Sequence, residues 1–63
     1  MTLLPIASAP KDGTVIDVWI DGDRLPDTHW TGRYWYSPHY KYDCGAEILE
    51  NEPQPTHWAP IPN

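Results

Sequence analysis

Thr14-Val15-Ile16-Asp17-Val18-Trp19-Ile20 is the stretch that decides the fold. Its β-branched side chains have stiff χ1 angles that suit a pleated strand. The run is nearly continuous in apolar residues, which predicts a central strand covered on both faces. By the two-residue period, Val15, Asp17 and Trp19 point one way and Ile16, Val18 and Ile20 the other. Asp17 interrupts an otherwise apolar face, so it requires either an edge position or a partner.

Punctuation lies on both sides of this strand. Before it, Ala9-Pro10-Lys11-Asp12-Gly13-Thr14 reads as a turn, because proline presets φ and Asp-Gly tolerates left-handed positions. After it, Asp21-Gly22-Asp23 closes the strand. Arg24-Leu25-Pro26-Asp27 then reads as a loop, since proline cannot donate to a central ladder. Thr28 to Tyr36 is the second strand region, with Thr28, Trp30, Tyr34 and Tyr36 on one face and His29, Thr31, Arg33 and Trp35 on the other. Gly32 predicts a bulge, or a turn that splits the run into two short strands.

Ser37-Pro38 breaks the pattern, and Tyr40-Lys41-Tyr42 reads as another short strand. Ala46 to Asn51 has two readings. It makes a helix of one and a half turns with Asp43 as N-cap and Pro53 as terminator, or the return strand of a hairpin; the helix is preferred. Thr56-His57-Trp58, within a proline-rich tail, is a plausible last strand anchored by Trp58. The expected fold is therefore one small β-rich (α+β) domain over 1–63. It would have a three- to four-stranded antiparallel sheet and at most one short helix around 44–51.

Composition explains how so short a chain folds. A 63-residue domain buries only about 60% of the surface its unfolded chain exposes. Cys44 is the only cysteine, so no disulfide forms within the monomer, and a reducing compartment fits. Four Trp and four Tyr, with no Phe, offer a rich core instead, each ring burying roughly 150–250 Å². A homodimer would hide further apolar surface. No signal peptide or membrane-length apolar run is evident, which points to a cytoplasmic protein.

Nine acidic residues face four basic ones, for a formal net charge of −5. Such a field repels phosphates, so direct contact with nucleic acid or an anionic membrane is not expected. A basic protein surface is the natural partner. The bland alternative is acidity that serves only solubility.

The chain ends carry a resemblance. Pro5-Ile6-Ala7-Ser8-Ala9-Pro10-Lys11-Asp12-Gly13-Thr14, followed by a short apolar strand, resembles the opening of a family of small phage and prophage proteins of unknown function. Pro55-Thr56-His57-Trp58-Ala59-Pro60-Ile61-Pro62 is similar to that family's closing Thr-His-Trp-Met-Pro-Leu-Pro motif. Ala59 and Ile61 depart from it, as does Leu4 where the family usually carries Trp. Together the motifs cover about a third of the chain. The resemblance implies a phage context and a host bacterial cytoplasm, without supplying chemistry.

Catalytic and metal readings are weak. His29, His39, Cys44 and His57 lack zinc-ligand spacing. Cys44, five residues after His39, has no activating signature. Glu47 and Glu50 share one face only if their segment is helical, and general acid–base work also needs a cleft. No cofactor, metal or enzymatic activity is expected. Tyr36, Tyr40 and Tyr42 are candidates for an exposed contact patch, although core cover is the simpler reading.

The acids are the most informative feature. Asp43, Glu47, Glu50 and Glu52 lie in a C-terminal third without Lys or Arg, and Asp21 and Asp23 sit at the first turn. Carboxylates so displayed would imitate DNA phosphates in an Arg/Lys-lined groove. The expectation is a phage-encoded inhibitor of a bacterial defence system, of the anti-CRISPR type. It would bind a basic, DNA-engaging effector surface, with a CRISPR effector subunit as candidate partner, through Asp43, Glu47, Glu50 and Glu52 first, then Asp21 and Asp23. The alternative is a prophage accessory or structural interaction module without a defence target.

Overall fold

The computed structural model describes residues 2–41 and 45–61. Within them lie strands β1 (Leu4–Pro5), β2 (Ile16–Ile20), β3 (Asp23–Trp30), β4 (Trp35–Ser37), β5 (Ala46–Ile48) and β6 (His57–Pro60), with one 3-10 turn at Ile6–Ser8. They form a single antiparallel sheet in the order β1-β6-β2-β3-β4-β5. The β-rich expectation holds, but the strand count of three to four is corrected to six. The additional strands are two or three residues long, too short for a two-residue period to register.

β2 is interior, between β6 and β3. Ile16 and Val18 are buried in the core. Asp17 is only 2% exposed, so of the two options open to it, partnering is the one used. Arg24 donates to Asp17 Oδ2 from Nε at 3.1 Å and Nη2 at 2.8 Å. Asp17 Oδ1 is buried with no hydrogen-bond partner.

The β2–β3 connection is tighter than the sequence suggested. Ile20 lies opposite Asp23, so the loop is Asp21-Gly22 alone. Both residues have positive φ, 51° and 85°, as a type I′ hairpin turn requires. Arg24–Asp27, read as a loop, therefore belongs to β3. Proline is tolerated there because the ladder slips: Val18 faces Leu25 while Ile16 faces Thr28. Pro26 and Asp27 fill the resulting bulge, where a missing N–H costs no ladder bond. Asp27 takes the left-handed conformation, φ 56°. The Pro26 carbonyl accepts from Ser37 Oγ at 2.9 Å, and Thr28 Oγ1 donates to the Leu25 carbonyl at 3.0 Å.

Gly32 (φ 104°) splits the next run as expected. The Thr31 N–H donates to the Tyr34 carbonyl at 2.9 Å, and Thr31 Oγ1 accepts from the Tyr34 N–H at 3.1 Å. This turn resets the side-chain phase, so the face assignment over Thr28 to Tyr36 fails. Trp30 pairs with Trp35, and His29 with Tyr36; the tryptophan rings meet edge-on at 5.1 Å between centroids.

The preferred helix at 44–51 is also corrected. Cys44 lies outside the described residues. Ala46–Ile48 is strand β5, paired with β4 through Ser37–Ala46, Tyr36–Glu47 and Trp35–Ile48. A turn follows, in which the Glu52 N–H donates to the Leu49 carbonyl at 3.0 Å. Burial explains the outcome, because Ile48 is 1% exposed and joins the core with Trp35. Propensity over so few residues yields to that contact.

β6 brings the two terminal motifs together. It pairs with β2 and with β1. The Ile6 N–H donates to the Thr56 carbonyl at 3.0 Å, and the Thr56 N–H to the Trp19 carbonyl at 2.9 Å. Trp58 Nε1 donates to Ser8 Oγ at 3.1 Å. The core comprises Ala9, Ile16, Val18, Trp35 and Ile48, flanked by Ile6, Ile20, Leu25, Trp30, Tyr40 and Trp58.

A methyl group at Gly45 (φ 79°) would fall 2.6 Å from Tyr36 Oη. Gly45→Ala should therefore cost on the order of 2 kcal/mol in urea unfolding, and a Tyr36→Phe background should recover part of the loss. Arg24→Leu strands the Asp17 carboxylate. It should destabilise by about 3 kcal/mol, the low end for a buried pair, because Arg24 is itself 57% exposed. Asp17→Leu combined with Arg24→Leu should return stability to wild type or above.

Candidate functional site

The partition of charge defines the surface. All four basic residues are engaged internally. Arg24 serves Asp17, and Lys41 Nζ lies 2.9 Å from Glu52 Oε2. Lys11 Nζ sits 4.5 Å above the Trp30 ring centroid, and Arg33 lies 5.3 Å from that of Tyr34. Cation–π contacts at such exposed positions contribute about 0.5–1 kcal/mol.

Some carboxylates are likewise tied down. Asp12 Oδ1 accepts from the Thr14 N–H and hydroxyl at 3.0 and 2.6 Å, and the hydroxyl bond above all lowers its pKa. Asp27 Oδ2 lies 3.1 Å from His39 Nε2. Glu52 is a structural clip: Oε2 receives Lys41 and the Tyr40 hydroxyl, at 3.0 Å, and Oε1 accepts from the Leu49 N–H at 3.0 Å.

The clip shifts three titrations. Lys41, then the Leu49 N–H, holds Glu52 below the ordinary carboxylate range. Partial burial, then the bond to Glu52, raises Tyr40. The same carboxylate, chiefly through its hydrogen bond, raises Lys41.

The expected contact residues thus fall into separate groups. Asp43 lies outside the described residues. Glu52 is occupied internally. Asp21, Asp23 and Glu50 are exposed, and their side chains make no hydrogen bond or ion pair among the described residues. Glu47 is exposed on β5, where Thr31 Oγ1 approaches at 3.4 Å. Glu47 and Glu50 do not share a helix face, because one is in a strand and the other in a turn.

Two concavities accompany these acids. The first, about 330 Å³, is lined by Ile20, Asp21, Asp23, Arg24, Leu25, Tyr40 and Pro53. It unites the hairpin turn with Tyr40, one hydrogen bond from Glu52. The second is an open hollow over the outer face of β3, β4 and β5, lined by His29, Thr31, Tyr36, Gly45, Ala46 and Glu47. His29 and Tyr36 stack obliquely there, 5.4 Å between centroids.

Of the three tyrosines considered for a contact patch, Tyr36 and Tyr40 are half-buried, and Tyr42 lies outside the described residues. His29 lies in β3, His39 in the turn after β4 and His57 in β6, and among the described residues no three His, Cys, Asp or Glu side chains gather to hold a metal ion. Cys44 is likewise not among them. No helix among the described residues is long and apolar enough to cross a membrane. No family model, curated protein or solved structure matches this chain.

Sequence reasoning missed the Asp17–Arg24 and Lys41–Glu52 ion pairs. Asp17–Arg24 had a readable signal, because a two-residue Asp21-Gly22 hairpin makes them diagonal neighbours on one face. The Lys41–Glu52 clip had none, since its members lie eleven positions apart on either side of β5.

Because the folded-state pKa of Glu52 is lowered, its contribution to stability is full above the ordinary value of 4.5 and is lost as pH falls through the lowered value. Glu52→Gln should therefore reduce stability at neutral pH and flatten that acid limb, as followed by thermal unfolding between pH 2 and 7.

Proposed function

We propose that this chain is a phage-encoded inhibitor of a bacterial defence system, of the anti-CRISPR type. It binds a basic, DNA-engaging surface of the effector and catalyses nothing. The observation that carries the reading is the charge partition. Arg24, Lys41, Lys11 and Arg33 are all held by internal carboxylates or rings, while Asp21, Asp23, Glu47 and Glu50 stand exposed. Asp17 and Glu52 neutralise two of the four cations, so the formal net charge of −5 is carried by acids outside those pairs, and such a field steers association with a cationic groove. The resemblance of the terminal motifs to phage and prophage proteins supplies the setting.

Glu52 is removed from the contact set by its clip. Glu47 and Glu50 become the principal contacts, with Asp21 and Asp23 as a second group at the hairpin turn. Expression in a CRISPR-immune host should restore phage plaquing. Glu47→Lys with Glu50→Lys should lower that restoration at least tenfold while circular dichroism stays unchanged. Binding should also weaken between 0.1 and 1 M salt, as the screening length falls from about 10 to 3 Å. Full inhibition by the double variant would eliminate charge-guided blocking.

A second reading, an accessory prophage module that associates with itself or with phage proteins, draws on a different feature. Edge strand β1 leaves Leu4 exposed, and Leu3 beside it is exposed as well, each at 37%. Adjacent exposed leucines offer apolar surface that self-association would cover. No restoration of plaquing, together with concentration-dependent dimerisation abolished by Leu4→Lys, would favour it.

A further inference from the structure

We infer that the cleft between the β2–β3 turn and the Tyr40–Pro53 wall receives one lysine or arginine side chain of a partner protein. The inference rests on the proposed function and narrows it, from a diffuse acidic surface to a defined anchor point.

The cleft has the parts such a side chain needs. Ile20 and Leu25 supply an apolar, half-buried floor that also touches the core, suited to an aliphatic stem. Tyr40 adds a ring wall, against which a guanidinium or ammonium group packs favourably. Asp21 and Asp23 stand at the turn with carboxylates available to the cationic head. The volume, about 330 Å³, is at the small end of the about 300–1,000 Å³ typical of ligand sites, which suits a single side chain.

Charge complementarity selects the occupant. Arg24 also lines the cleft, but Asp17 neutralises it at 2.8 Å. Lys41 and Glu52, bonded to the Tyr40 hydroxyl, neutralise each other at 2.9 Å. Asp21 and Asp23 are the surplus. Two carboxylates without a third ligand make a poor cage for a divalent ion, which takes six or more oxygens. The apolar floor favours an organic cation instead.

The site is also built before binding. Asp21 sits in a two-residue turn at φ 51° and Asp23 is fixed in the ladder opposite Ile20. The Tyr40 hydroxyl bond to Glu52 orients the ring. Little backbone freedom remains to be lost when the side chain enters.

The test is a ¹⁵N-detected NMR titration of the intact protein with three probes: N-acetyl-arginine amide, N-acetyl-lysine amide and N-acetyl-norleucine amide. The two cations should give saturable shifts confined to Ile20–Leu25, Tyr40 and Gln54, and norleucine should bind at least tenfold more weakly. Asp21→Asn with Asp23→Asn should lower cation affinity at least tenfold, and asparagine preserves the left-handed turn position. Asp12→Asn, remote from the cleft, controls for loss of negative charge in general and should leave affinity unchanged.

Equal binding of norleucine, undiminished affinity in the Asn double variant, shifts centred elsewhere, or no saturable shift would each overturn the proposal. The titration contains no defence effector. Cleft binding without restored plaquing would therefore refute the functional reading and leave the site standing; restored plaquing without cleft binding would do the reverse.

Discussion

The bulge at Pro26–Asp27 is the constraint on which the rest of the sheet depends. Up to Leu25, β3 pairs with β2 in the register set by the Asp21-Gly22 turn; beyond the bulge it resumes at Thr28 and goes on to pair with β4. The extra residue bends and twists the strand. The two halves of the sheet can then share one core, with Ile16 and Val18 from β2 meeting Trp35 and Ile48 from β4 and β5. Ser37 Oγ, fully buried, ties the far half back to the Pro26 carbonyl. A straight β3 would leave Trp35 and Ile48 without that partner surface.

The same small size shapes the distribution of the rings. Of the described tryptophans and tyrosines, only Trp35 is buried. Trp30, Tyr40 and Trp58 lie around the core as partial cover, each with a polar or charged partner on its wet side: Lys11, Glu52 and Ser8 respectively. Amphipathic rings suit this role, because one edge stays solvated while the face excludes water. Phenylalanine, which the chain lacks, has no such handle.

Charge follows a related logic. Every cation is spent on structure, and several acids are not. Arg24 makes an imperfect pair, since both its donors reach Oδ2 and leave Oδ1 orphaned. A buried acceptor left unmade costs about 1–3 kcal/mol. Asp17 is thus held at some expense to stability, and its effect is to neutralise the exposed Arg24 guanidinium beside Asp21 and Asp23.

The sequence by itself determined the local elements. The β-branched apolar run located β2, glycine and proline located the turns, and Thr56-His57-Trp58 was legible as the last strand. The surplus of acids, with Asp21 and Asp23 at the first turn, was equally legible. Only the tertiary structure decided that Pro26 lies within a strand, that Ala46–Ile48 is strand and not helix, and that Glu52 is engaged while Asp21 and Asp23 are not. The physical reason is range. Turn chemistry and side-chain period act over two to four residues, whereas Ile48 on Trp35, Ser37 on Pro26 and Lys41 on Glu52 bridge eleven or more. Contacts of that span exist only once the strands have come together.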